Sequence, residues 1–419
     1  MLRESVELEA AAAHEAVPQL ADEPVSAALS IAADRVTARR HSILAANEAD
    51  VTGAAGGLDP GALDRLRLDE PRLEAIALQL RELAELPALE REVRSWRLSN
   101  GLEVSERRIP IGVVGANFEA RPNVAVDVAG QLLKSLNGAV LRTGGAALGT
   151  VTALVDEVLR PALAEAGLPP ETVGLVRSPD RDGARTLVSL PRLVPLVILR
   201  GSGETTATLA RLAAEQGVRT LAHAEGGGVL YVAASADPGK VEAIVEASLD
   251  RLGVCNRLNL LLVDRSAAAE VLGRVVPLLA RLGVEPRGTE RARTYADMAL
   301  LDVRLGHEWA NDADRVATVS VDVVEGPEEA AAIANGETSA LAATIVCEDE
   351  AVAELFLGRY RGTAAFWQAP TRFTDGFALT GAPETGINVD WVPGPRGPVT
   401  YRDLWLRQYR VIGDGTQRR

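Results

Sequence analysis

Apolar residues recur three and four positions apart through residues 1–20 and 26–49, which are rich in Ala, Leu, Glu and Arg, and again through 71–86. That spacing predicts amphipathic helices, interrupted by a loop at Gly53, Gly56, Gly57 and Pro60. After Leu89 the period shortens to two. Trp96-Arg97-Leu98 and Leu102-Glu103-Val104 alternate around Ser99-Asn100-Gly101, a hairpin signal because Asn-Gly suits the positive φ of a tight turn. Residues 109–114 carry no charge and predict a short strand ending at Gly115.

From there to about residue 216, apolar strands alternate with helical stretches. Residues 139–141 run into Arg142-Thr143-Gly144-Gly145 and a helix over 148–166, and 173–176 is a further strand. Residues 196–199 run into Arg200-Gly201-Ser202-Gly203 and a helix over 205–216. Strand, glycine-rich turn, helix is the pattern of a doubly wound α/β sheet, with ligands expected at the carboxyl ends of the strands. A second α/β unit begins near Gly226, with strands over 229–233, 258–263, 316–324 and 342–347 and helices over 238–252, 266–282 and 328–335. Residues 370–398 are loop-like, and no solenoid period appears.

A chain of 419 residues suggests two domains, and 47% hydrophobic with 24% charged residues is ordinary for a soluble protein. The net charge of −14 argues against nucleic-acid binding, so an anionic small substrate would need a local arginine cluster. Two distant cysteines make no disulfide framework. The N-terminus lacks a basic-then-apolar signal, and no run approaches the ~18–20 apolar residues of a membrane span. The expectation is a cytoplasmic protein without membrane contact.

Four stretches carry candidate chemistry. Cys255 lies in Leu252-Gly253-Val254-Cys255-Asn256-Arg257, between a helical segment and an apolar strand. Arg251 and Arg257 nearby would favour its thiolate, although a free cysteine also serves as a small buried hydrophobe, the reading given to Cys347. Arg200-Gly201-Ser202-Gly203 offers backbone N–H groups and a helix N-terminus to a phosphate, or is an ordinary βα turn. Neither GxGxxG nor a Walker lysine is present. In Asn117-Phe118-Glu119-Ala120-Arg121-Pro122-Asn123-Val124, polar residues follow directly on a strand; a helix N-cap would explain Asn123 but not Arg121. Pro370-Thr371-Arg372-Phe373-Thr374-Asp375-Gly376, with Arg396 beyond it, adds arginines able to bind carboxylate or phosphate. The histidines, His14, His41, His223 and His307, show no metal-ligand spacing, the first two reading as surface residues, and no metal is expected.

Together these stretches resemble the γ-glutamyl phosphate reductase (glutamate-5-semialdehyde dehydrogenase) family of proline biosynthesis, in the aldehyde dehydrogenase superfamily. The resemblance spans nearly the whole chain: Ile43-Leu44-Ala45-Ala46-Asn47 with Asp50-Val51, Leu63-Asp64-Arg65-Leu66, Phe118 to Val124 with Val126-Asp127-Val128-Ala129, Ser178-Pro179-Asp180-Arg181, Arg200-Gly201-Ser202-Gly203, Cys255-Asn256 and Thr371 to Gly376 occur in the family's order.

The resemblance implies an aldehyde dehydrogenase-like α/β fold of two doubly wound domains plus a small β oligomerisation flap. The nicotinamide domain would span 1–225, including a flap hairpin at about 95–109. The catalytic domain would span 226–398, and the oligomerisation segment 399–419 would pair with the hairpin in a homo-oligomer, a dimer or tetramer. The implied reaction is NADPH-dependent reduction of an acyl phosphate, γ-glutamyl 5-phosphate or a close analogue, through a Cys255 thioester, with an acyl kinase as a partner supplying the substrate. Asn123 would polarise the carbonyl. Arg121, Arg251, Arg372 and Arg396 would hold the anionic groups, and Thr143, Gly144, Gly145, Arg200, Gly201, Ser202 and Gly203 the NADP(H).

Several positions depart from the family. Arg251-Leu252-Gly253 replaces its Arg-Pro-Ser, Val229-Leu230 replaces its histidine before Tyr231-Val232, and Thr143-Gly144-Gly145-Ala146 replaces its Arg-Gly-Gly-Lys. Phe377-Ala378-Leu379-Thr380 and Gly386-Ile387-Asn388-Val389-Asp390-Trp391 replace residues expected near the substrate, which points to an altered acyl group. A non-phosphorylating aldehyde dehydrogenase, with Glu225 activating water, and a non-catalytic partner of an acyl kinase are the competing readings.

Overall fold

The computed structural model describes residues 2–58, 60–201, 203–223, 226–312, 314–391 and 394–417. The chain forms two compact units: Met1–His223 with Ala382–Gly386 and Val399–Arg419, and Ala224–Gly381 with Ile387–Pro398. Residues 382–386 thus pack with the first unit although they lie inside the 226–398 span, because Ala382 is buried in the first unit's core.

In the first unit, helices α1 (Leu2–Ala16), α2 (Asp22–Ala38), α3 (Arg40–Ala54), α4 (Pro60–Leu66) and α5 (Glu70–Glu85) precede the sheet. The single helix expected over 26–49 is two, divided at Arg39, where Thr37 to Ser42 are all exposed and no apolar residue ties the turn to the core. The hairpin forms as β1 (Glu92–Arg97) and β2 (Glu103–Pro110), with Trp96 opposite Val104, and Gly101 adopts φ +90° in the turn. The C-terminal strand Trp405–Ile412 pairs antiparallel with β2, so a three-stranded sheet forms as the resemblance implies.

The strand expected over 109–114 is broken. β2 ends at Pro110 and β3 (Val113–Phe118) starts a new sheet, because Ile111 and Gly112 both turn their N–H groups onto Asn137 Oδ1, at 2.7 and 3.1 Å. β3 is buried throughout and is flanked by β4 (Gly138–Thr143) and β6 (Leu196–Arg200), with β5 (Val173–Leu175) and β7 (Arg219–His223) outside them, all parallel. The order β5-β4-β3-β6-β7 reverses direction beside β3, so a crevice opens at the carboxyl ends of β3 and β6. Helix α6 (Asn123–Lys134) follows β3 with ten of its twelve residues buried, including Val124, Val126, Val128 and Leu132.

The second unit is a seven-stranded sheet in the order β11-β10-β12-β9-β8-β13-β14. Its strands are β8 (Gly228–Val232), β9 (Leu258–Asp264), β10 (Glu285–Gly288), β11 (Ala299–Leu300), β12 (Thr318–Val324), β13 (Ala342–Val346) and β14 (Ala364–Trp367), all parallel. β8, β9, β12 and β13 are buried almost end to end, as a parallel sheet covered on both faces requires. No described helix is long and apolar enough to cross a membrane.

Candidate active site

In the first unit the candidate residues collect at the carboxyl ends of β3, β4 and β6. The chain leaves β3 through Glu119, Ala120 at φ 40°, Arg121 and Pro122. Asn123 is not a helix N-cap: it stands inside the first turn, and its Nδ2 donates to Asp127 Oδ2 at 3.0 Å, one turn on. Burial, countered by the Arg200 charge and the Asn123 N–H, holds the Asp127 carboxyl up at about 7.

Thr143 ends β4 fully buried, with its Oγ1 lacking any hydrogen-bond partner among the described residues. Gly144 N–H donates to the Phe118 carbonyl at 3.2 Å, and a Cβ on Gly145 would press on Pro179 at 3.1 Å, whereas one on Gly144 would meet open space. Asp50 accepts Thr150 N–H at 2.7 Å and its hydroxyl at 2.6 Å, capping the helix after that turn; the Asn47 and Asp50 match is scaffold for this site. At the end of β6 the Arg200 Nε is buried without a partner among the described residues, Gly201 lies against the Glu119 carboxyl, and Gly203 opens the helix Gly203–Glu215. Ser202 lies outside the described residues. A buried unpartnered hydroxyl, a guanidinium N–H without a partner, a carboxylate and a helix N-terminus suit the ribose hydroxyls and phosphates of a dinucleotide.

In the second unit Cys255 is half-buried, in the turn between helix Pro238–Ser248 and β9, and is not disulfide-bonded. It lies where β8 and β9 begin, at the opposite edge from that used in the first unit. The Gly226-Gly227-Gly228 run makes this possible. A Cβ on Gly226 would fall 2.3 Å from Cys255 Cβ and 2.6 Å from its carbonyl oxygen. Gly227 N–H donates to that carbonyl at 2.6 Å, and Gly228 N–H to the Arg257 carbonyl at 2.8 Å. The cysteine packs against Leu341, Ala342 and Ile387, with Ala364, Phe366 and Val389 in the same apolar group.

The loop is braced on its other side. Asn256 Nδ2 donates to the Arg372 and Thr374 carbonyls at 3.1 and 3.0 Å, and its own carbonyl accepts the Thr371 hydroxyl at 2.9 Å. The Arg372 guanidinium donates to Asn256 Oδ1 and, through Nε at 2.6 Å, to Asp250. Arg396 is similarly engaged: it donates to the Arg361 carbonyl at 2.6 Å and the Val389 carbonyl at 3.3 Å and lies 4.6 Å over the Trp391 ring. Among the four arginines assigned to the substrate, Arg372 and Arg396 therefore use donors to hold loops, Arg251 is exposed, and Arg121 stands in the first unit.

Arg257, expected to help the Cys255 thiolate, does the reverse of facing it. Its guanidinium is fully buried on the carbonyls of Leu258, Val316 and Thr318, and burial lowers its pKa to about 10. Cys347 is buried and donates to the Asp349 carbonyl at 3.2 Å, and burial raises its pKa. His14 and His41 are exposed, and no metal-holding cluster occurs among the described residues. Glu225 lies outside the described residues. Asp127 and the Gly226–Gly228 run were not picked out as site residues; the i, i+4 spacing of Asn123 and Asp127 on one helix was the available signal for the first.

The aldehyde dehydrogenase family model matches residues 72–295. A γ-glutamyl phosphate reductase from Chloroflexus aurantiacus is 37% identical over 98% of each chain. The crystal structure of γ-glutamyl phosphate reductase from Thermotoga maritima superposes with a TM-score of 0.92 at 28% identity, covering 99% of this chain and all of that one. An acetylating aldehyde dehydrogenase from Geobacillus thermoglucosidasius shares the fold, with a TM-score of 0.68 at 15% identity, 100% of this chain and 97% of that one being covered.

Proposed function

Because the chain belongs to the γ-glutamyl phosphate reductase family of the aldehyde dehydrogenases, we propose that it reduces an acyl phosphate, γ-glutamyl 5-phosphate or a close analogue, to the semialdehyde with release of phosphate. The observation that carries this reading is the Cys255 loop, whose backbone is gripped by Gly226 and Gly227 and whose next residue is locked by Arg372 and Thr371. Such bracing holds a nucleophile in one attack geometry.

The Cys255 thiolate attacks the acyl carbonyl, forms a C–S bond and expels phosphate, leaving a thioester. Asn123 donates a hydrogen bond to the oxygen as negative charge develops on it. Arg251 and Arg121 attract the phosphate and carboxylate, while Arg372 and Arg396 shape the loops. A bound nicotinamide cofactor, NADPH in this reading, would supply hydride for reduction of the thioester, and Thr143, Gly144, Gly145, Arg200, Gly201, Ser202 and Gly203 would hold it. The tetrahedral species on Cys255 then expels the thiolate and leaves the aldehyde; one proton is taken up overall and ends on phosphate.

The three-stranded flap sheet joins copies of the chain, an acyl kinase supplies the labile substrate, and the reaction is cytoplasmic. The test is the reverse reaction with glutamate-5-semialdehyde and a panel of other semialdehydes. Reduction of NADP⁺ that requires phosphate and is lost in Cys255→Ala is expected; turnover at an equal rate without phosphate would overturn the reading.

A further inference from the structure

We propose that Asp127 is a positioning residue for this reaction: it accepts one N–H of the Asn123 carboxamide and so fixes the direction of the other. The proposal rests on the assignment of Asn123 as the donor to the reacting carbonyl oxygen. Both side chains rise from the first turns of α6, at i and i+4, and therefore share a face. The helix holds the pair in one orientation, because Val124, Ala125, Val126 and Val128 are locked in the core.

A carboxamide nitrogen carries two hydrogens, and its terminal torsion is broad unless a partner holds it. Asp127 Oδ2, 3.0 Å from Asn123 Nδ2, is that partner. The remaining N–H is then set in a fixed direction before charge develops, which is what makes a donor effective in catalysis.

Asp127 is flanked by charges from two other elements. Arg200, at the end of β6, favours its ionised form, as does the Asn123 N–H, while Glu384, from the 382–386 segment, and burial oppose it. Only the ionised carboxylate is bound to accept. Once protonated, the carboxyl offers its own hydrogen, and the Asn123 carbonyl rather than its N–H becomes the preferred partner. The kcat profile should therefore fall on the acid side of about 7. The stability consequence has the opposite sign. The folded value lies above that of an unfolded Asp, so the acid form's contribution is present at low pH and is lost as pH rises through about 7.

The experiment is a kinetic double-mutant cycle on the full-length enzyme, read in the phosphate-dependent semialdehyde assay. Removing a donor of this kind costs ~10²–10³ in kcat, and freeing one to rotate costs less, so Asp127→Ala should lower kcat by about tenfold to a hundredfold. KM values and the rate of Cys255 alkylation should stay unchanged. Asp127→Asn keeps an acceptor oxygen and should recover part of the loss, with the acid limb near 7 gone and a higher Tm than wild type at pH above that value. In an Asn123→Ala background, Asp127→Ala should cost nothing further. Additive losses in the double variant, or an acid limb that persists in Asp127→Asn, would overturn the proposal while leaving the role of Asn123 intact. Full kcat in Asn123→Ala would overturn that role and the proposal with it.

Discussion

In the first unit the candidate loops leave the carboxyl ends of β3, β4 and β6, whereas in the second Cys255 and Gly226–Gly228 lie where β8 and β9 begin. The two edges are also provided for differently. Around Thr143 and Arg200, buried hydrogen-bonding atoms have no partner among the described residues, the condition of a surface completed by a ligand. Around Cys255 most neighbouring polar groups are spent on one another, the Thr374 hydroxyl excepted: Asn256 on the Arg372 and Thr374 carbonyls, Arg372 on Asp250, Thr371 on Asn256. One site is built to receive a polar molecule, and the other to keep a reactive atom still.

Glycine substitutions should separate the two most sharply. Gly226→Ala places a methyl 2.3 Å from Cys255 Cβ, against backbone that cannot yield, and must displace the nucleophile loop. A displacement of about 1 Å costs ~10²-fold in rate, so a loss of at least that size in kcat is expected with cofactor affinity retained. Unchanged kcat in Gly226→Ala would break the contrast.

Arg372→Ala comes next. It removes the link from Asp250 to Asn256 and should slow turnover by about tenfold, a smaller misplacement than that made by Gly226→Ala. Iodoacetamide labelling of Cys255 should change with it. If the variant instead raises only the KM for the acyl phosphate, Arg372 is an anion ligand rather than a brace.

Thr143→Val acts on the receptive edge. Its hydroxyl has no partner among the described residues, so the fold should lose nothing and the Tm should hold or rise. Cofactor binding should weaken by about 1 kcal/mol, some fivefold in Kd by fluorescence titration, with kcat little changed. Smallest of all is Gly201→Ala. Its methyl would meet the movable end of the Glu119 side chain at 3.2 Å, and a cofactor Kd within about twofold of wild type, ~0.4 kcal/mol, is expected.

Much of this was legible in the chain because burial leaves a periodic trace. Only Val113 and Val114 of β3 fell within the strand expected over 109–114, whereas β8 and most of β9 read as uncharged apolar runs and Asn100-Gly101 marked the hairpin. β10 did not: Glu285-Pro286-Arg287-Gly288 has neither alternation nor an apolar run, and it forms through backbone pairing with β12. β7 was hidden likewise, its Arg219-Thr220-Leu221-Ala222-His223 lacking a strand's pattern. At the site, adjacency in sequence misled. Arg257 is two residues from Cys255, yet its side chain turns inward to carbonyls from residues 316 and 318, a contact that no local spacing encodes. Arg372 and Arg396 were expected to hold the substrate's anionic groups, but arginines that hold loops and arginines that hold substrates share one composition. Their partners decide between the two, and those partners come from distant parts of the chain.

The central claim is that Cys255 carries the acyl group between the two halves of the reaction. It is tested most directly by mixing the enzyme with glutamate-5-semialdehyde and NADP⁺ in phosphate-free buffer, then mapping peptides by mass. A burst of NADPH stoichiometric with enzyme, an acyl mass on the peptide containing Cys255, and steady turnover only after phosphate is added is the predicted result. Sustained NADPH formation before phosphate is added, or an acyl mass on Cys347 with Cys255 unmodified, would contradict it.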